Sequence, residues 1–142
     1  HIKLKRECER IKNQNLSWNQ ELILWLIERP ESFGSRQEMF RALQMNMESH
    51  ELHQITRQLF QTMRKHIYEL LLKGQTNHEL SPALDLETIA WELDAFRHGL
   101  VIQWNLSGSG TLHAWLKDGL QNYLNRLKSC SYFGNNFLVS VP

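Results

Sequence analysis

Residues 86–106, LETIAWELDAFRHGLVIQWNL, decide the fold. At about 100° per residue, the helical repeat, Leu86, Ile89, Ala90, Leu93, Phe96, Leu100 and Trp104 share one face. Trp91, Ala95, Gly99, Ile102 and Leu106 fall on nearly the opposite face, with Glu87 and Asp94 in one gap and Glu92 and Gln103 in the other. A surface helix needs one apolar stripe to meet its core. This one carries two. Ala95 and Gly99, one helical turn apart, permit close approach by another backbone. Glu92, Asp94 and Arg97 read as solvated or rim ion pairs, since Asp94 and Arg97 stand at i, i+3. His98, beside the second face, reads as a partly buried, hydrogen-bonded imidazole.

On the C-terminal side, Ser107-Gly108-Ser109-Gly110 breaks the helix and Thr111 can cap the next. That helix, expected to run to Lys128, has a broad stripe of Leu112, Trp115, Leu116, Gly119, Leu120, Tyr123, Leu124 and Leu127. On the N-terminal side, Asp85 is the expected N-cap, preceded by a polar connector, residues 75–84, containing Ser81-Pro82. Before it, residues 49–73 place Leu52, Ile55, Leu59, Met63, Ile67 and Leu70 at alternating three- and four-residue steps. That long helix should end at Gly74 in a left-handed conformation. Further upstream, Ser17-Trp18-Asn19-Gln20 has the form of a capping box, followed by a stripe of Trp18, Leu22, Trp25 and Leu26 that Pro30 terminates. Ser35-Arg36-Gln37-Glu38 is a second box, leading into Met39, Phe40, Leu43 and Met47.

The expected fold is therefore all-α, an antiparallel bundle of about five to six helices. Residues 17–128 form its body. Residues 1–16 include a basic stretch, Lys3, Lys5, Arg6, Arg10 and Lys12 against Glu7 and Glu9, and read as the end of an element that begins upstream. Residues 129–142, with Phe137-Leu138-Val139-Ser140-Val141, read as a C-terminal tail, either docked or a disordered extension.

Composition sets limits on function. The chain has 142 residues, 42% hydrophobic and 22% charged, which suits one globular domain. Sixteen basic residues against fifteen acidic leave a formal charge of +1, too little for nucleic-acid binding by the domain as a whole. No apolar run is long enough to span a membrane. Cys8 and Cys130 have no ligand spacing and read as cytoplasmic thiols.

Catalytic patterns are missing. His50-Glu51-Leu52-His53 lacks the His-Glu-x-x-His spacing of a zinc helix, so its histidines read as solvated. No nucleophile elbow, phosphate loop or dinucleotide glycine pattern occurs. The reading contains no catalytic residue, no metal ligand and no cofactor. What remains is an aromatic surplus, five tryptophans, three tyrosines and six phenylalanines. As a group these suit an apolar cleft between helices that admits a flat or lipophilic molecule.

The long helix, the polar loop, Leu84-Asp85-Leu86-Glu87-Thr88-Ile89-Ala90, then Ala95-Phe96-Arg97-His98-Gly99-Leu100 with Gln103-Trp104, together resemble the TetR family of bacterial transcriptional regulators. The likeness is to the C-terminal ligand-binding and dimerisation domain, from about Ser17 to Lys128. The resemblance implies a cytoplasmic homodimer whose last two helices make a four-helix interface with a second copy. It implies an apolar or aromatic effector within each subunit, and DNA contact only through an N-terminal helix-turn-helix domain that has no counterpart here. On that footing Trp25, Phe40, Phe60, Met63, Ile67 and Phe96 are the expected pocket lining. Trp91, Ala95, Gly99, Ile102, Trp115, Gly119 and Tyr123 are the expected dimer surface. The alternative is a helical protein–protein interaction module with no small-molecule ligand.

Overall fold

The computed structural model describes residues 6, 9–11, 15–28, 48 and 50–139, with residues 52, 56 and 130–139 described by backbone alone. Four helices lie among them: α1, Trp18–Glu28; α2, His50–Thr76; α3, Leu86–Ser107; and α4, Leu112–Val139. No strand occurs among the described residues. The second capping box and Phe40 lie outside them. So do Met39, Leu43 and Met47.

Local chemistry sets most of the helix ends. At α1, the Ser17 N–H donates to Gln20 Oε1 at 3.3 Å, the reach-back half of a capping box. Asp85 caps α3 by accepting from the Thr88 N–H at 3.3 Å and from its hydroxyl at 2.7 Å. The Thr88 hydroxyl is the larger influence holding the Asp85 carboxyl below its usual range. Thr111 Oγ1 accepts from the Ala114 N–H at 3.2 Å and opens α4. The last helix does not stop at Lys128 but continues to Val139. The change in composition after Lys128 contains no proline before Pro142 and so is no stop signal.

Gly74 is not the left-handed terminus of α2. It lies inside the helix, and His78 holds the positive φ, 62°. The Glu79 N–H bonds the Gly74 carbonyl at 2.9 Å and the His78 N–H bonds the Gln75 carbonyl at 3.1 Å, the paired 6→1 and 5→2 bonds of a Schellman stop. A left-handed conformation costs a side-chain-bearing residue about 1–2 kcal/mol, and glycine in exchange loses about 0.5–1 kcal/mol of chain entropy. His78→Gly is therefore expected to raise stability by about 0.5–1 kcal/mol, seen as a higher urea midpoint at unchanged slope.

The helices close a circuit, α1 on α2, α2 on α3, α3 on α4, and α4 back on α1. Paired contacts run in opposite directions along neighbours. Trp25 meets His66 while Trp18 meets Gly74. Phe60 meets His98 while Arg64 meets Trp91. Leu100 meets Trp115 while Phe96 meets Tyr123. Neighbouring helices are thus antiparallel. Leu22, Leu26, Ile67, Leu71, Leu93, Leu120 and Leu124 are sealed in the centre, joined by Ile11 from the short helical stretch at residues 9–11 and by Leu80 from the connector. Each such side chain contributes about 1.5–3 kcal/mol relative to exposure. Gln75 steadies the connector over Leu80 by donating to the Ser81 carbonyl at 3.0 Å. Ile55 departs from the expected stripe, being 56% exposed.

Asp94 and Arg97 are also placed differently from the sequence reading. Both are buried, at 6% and 2% exposure, rather than at a solvated rim. The inward face of α3 runs through Leu86, Ala90, Leu93, Arg97 and Val101, rotated by about 40° from the face drawn through Phe96 and Trp104 at about 100° per residue. Arg97 Nε donates to the Leu26 carbonyl at 2.6 Å, one of the carbonyls that the end of α1 leaves without a helical partner.

Candidate functional site

The outer face of α3 is the most unusual surface among the described residues. Trp91 is 56% exposed, Ile102 36% and Leu106 52%, with exposed Ala95 between them. All are held by a helix whose opposite side is locked into the core, so the stripe is presented rigidly. A Cβ added at Gly99 would meet nothing within 4 Å. The glycine makes a shallow notch in the middle of the stripe. At one end, the Arg64 guanidinium lies over the Trp91 ring, 3.5 Å from its centroid.

The three expected interface residues of α4 behave differently. Trp115 is half-buried and its indole N–H donates to the Leu100 carbonyl at 3.0 Å. A Cβ on Gly119 would lie 2.8 Å from a Leu100 methyl, so this glycine lets α3 and α4 approach within one chain. The Tyr123 ring stacks on Phe96 with centroids 5.4 Å apart, and its hydroxyl reaches Glu92 at 3.4 Å. Burial first, and then the Glu92 charge, push the Tyr123 phenol up to about 12. Trp91, Ala95, Gly99 and Ile102 thus lie on an open face, while Trp115, Gly119 and Tyr123 bind that helix from behind.

The expected pocket residues fall into three places. Trp25, Met63 and Ile67 belong to the closed core, at 1%, 4% and 0% exposure. Phe60 is half-buried and meets His98 edge-on, with centroids 5.2 Å apart. Phe96 turns toward α4 and Tyr123. His98 itself is half-buried, and its Nδ1 lies 2.7 Å from the Asp94 carbonyl, as the sequence suggested. His50 and His53 are exposed at the start of α2.

Among the described residues two clefts open on the surface instead, and Trp25, Phe60, Met63, Ile67 and Phe96 line neither. One, of about 510 Å³, lies between α2 and α3 beside Arg64, Lys65, Tyr68, Glu87 and Trp91. The other, of about 460 Å³, lies between the start of α1 and the end of α2. Glu21 lines the second and is 5% exposed, a buried carboxylate that no motif marks. Its only sequence signal is position. α1 buries Trp18, Leu22, Ile23, Trp25 and Leu26 on several sides, which leaves Glu21 little room to reach water.

Among the described residues, no group of three or more His, Cys, Asp or Glu could hold a metal ion, and no helix is long and apolar enough to cross a membrane. Comparison with protein-family models, with curated proteins and with solved structures returns no match.

Proposed function

We propose that the chain is the effector-sensing and dimerisation domain of a TetR-type bacterial transcriptional regulator, acting as a repressor. The observation that carries this reading is the exposed apolar stripe of α3, with its notch at Gly99. A contiguous apolar strip on a helix that already has a core behind it calls for a partner surface. A second copy offers the same strip and satisfies both at once through twofold pairing. In this scheme a flat, lipophilic effector enters between α2 and α3 near Phe60 and His98. It shifts α1 and α2 relative to α3, and so the spacing of two DNA-binding domains carried elsewhere in the parent protein. Recognition helices must stand one DNA turn apart, about 34–36 Å. A coupling of about 1–3 kcal/mol between effector and DNA sites is enough for a strong response.

The closed packing of Trp25, Met63 and Ile67 favours a second reading, a helical interaction module that needs no small molecule. A thermal-shift screen with aromatic and lipophilic compounds separates the two, because a ligand that binds the folded state raises the midpoint by mass action. The dimer has its own test. Since a Cβ at Gly99 meets nothing within 4 Å, Gly99→Leu starts from open space in the single protomer and also removes a mid-helix glycine, worth about 1 kcal/mol. The variant should keep or improve its thermal midpoint and sediment as a monomer where the parent chain sediments as a dimer. A parent chain that is monomeric, or a variant that stays dimeric, removes the α3 face from the interface.

A further inference from the structure

The cleft between α1 and α2 contains a charge that the protein itself leaves incompletely compensated. Glu21 is buried, and its Oε1 is sealed from solvent with no hydrogen-bond donor among the described residues. A carboxylate in such a position keeps its desolvation cost unless a cation reaches its other edge. That edge, Oε2, faces Lys73, whose Nζ stands 3.6 Å away, beyond hydrogen-bonding distance. The Lys73 side chain is itself 54% exposed, so it covers the carboxylate loosely and can swing into water.

The surroundings define what could replace it. Glu69, on the same wall, adds a second carboxylate, so the cleft is net acidic even with Lys73 in place. Leu16 and Leu72 line it as well, and Leu72 is 41% exposed, giving an apolar rail beside the charge. Among the described residues no trio of ligating side chains is present for a metal ion. We propose that this cleft binds a primary alkylammonium ion, its N–H groups donating to Glu21 and its carbon chain lying along Leu16 and Leu72. Lys73 is the internal stand-in for that ligand, an ammonium on a four-carbon stem that reaches the same oxygen imperfectly. The assignment does not depend on the regulator reading, because the α3 face takes no part in it.

The test is calorimetric titration of the full chain with n-butylammonium chloride at constant ionic strength. Saturable binding is expected. Glu21→Gln should weaken it by roughly ten- to a hundredfold, the span of a hydrogen bond to a charged group. Lys73→Met, which removes the internal competitor and keeps Glu21, should tighten it by up to roughly fivefold, the value of an exposed ion pair. Tetramethylammonium, which has no N–H to donate, should bind far more weakly than butylammonium. No saturable binding by the parent chain would overturn the proposal. So would undiminished binding by a cooperatively folding Glu21→Gln, an affinity that Lys73→Met leaves unchanged or lowers, or equal binding of the two cations.

Discussion

Arg97→Ala is expected to cost about 2–5 kcal/mol of folding stability, the range for truncating a large buried side chain to alanine. The reason lies in where the guanidinium sits. It is among the largest fully buried side chains of the molecule, and its Nε donates to the Leu26 carbonyl at 2.6 Å. That carbonyl belongs to the last turn of α1, where the helix dipole is negative and a cation is favoured. Alanine would remove the donor, leave the carbonyl without it, and open a cavity between α1 and α3. Against a total stability of roughly 5–15 kcal/mol, such a loss is large. Urea denaturation should show the midpoint falling steeply, and hydrogen exchange should show α1 losing protection before α2. Arg97→Met separates the contributions, because it restores apolar volume but not the donor. It should recover part of the loss. An unfolding midpoint for Arg97→Ala equal to that of the parent chain would show that α1 is held by apolar contacts alone.

This arginine also shows where sequence reading loses sight of the fold. The all-α class, the caps at Asp85 and Thr111 and the break after Ser107 are legible because each depends on residues within one turn of one another. The inward face of α3 lies about 40° from the one that its apolar residues draw, at about 100° per residue, because charge reads as a sign of exposure. The structure instead buries Leu86, Ala90, Leu93, Arg97 and Val101. Arg97 is tolerated inside because a carbonyl from a distant helix meets it, and no local pattern announces such a partner. Glu21 escapes the sequence reading, and Gly74 is given the wrong role by it, for the same reason. Their roles are set by α1 lying against α2, a juxtaposition of residues about fifty positions apart in sequence.

The same distinction applies to the two-faced helix. Periodicity located the second stripe, and Trp91, Ala95, Ile102 and Leu106 are indeed exposed. It could not tell which residues of α4 share that surface. Trp115 and Tyr123 are amphipathic, and their polar tips found partners on α3, at the Leu100 carbonyl and at Glu92. A stripe on one helix can be read from spacing, whereas the division of an aromatic ring between an inner and an outer surface depends on the neighbouring backbone.

Gly74 yields the other large effect, and its sign can be reversed by a second substitution. A Cβ built there would lie 2.6 Å from Trp18 Cε2 and 2.8 Å from Cζ2, closer than carbon atoms approach. The indole has no easy retreat, since it is 4% exposed and its N–H donates to Glu79. Overpacking of this kind costs about 1–3 kcal/mol, and more where neighbours cannot shift. Alanine recovers about 1 kcal/mol of helix propensity at the same position. Gly74→Ala should therefore destabilise by about 1–2 kcal/mol, and Gly74→Val, bulkier and β-branched, by more. In a Trp18→Leu background the obstruction is gone and only the propensity gain remains. There Gly74→Ala should stabilise by about 1 kcal/mol. The two backgrounds thus differ by about 2–3 kcal/mol, a coupling well above the few tenths found for independent sites. Measuring the four unfolding free energies of this cycle decides the matter. Equal effects of Gly74→Ala in both backgrounds would mean that α1 does not rest on α2 through the Trp18 ring.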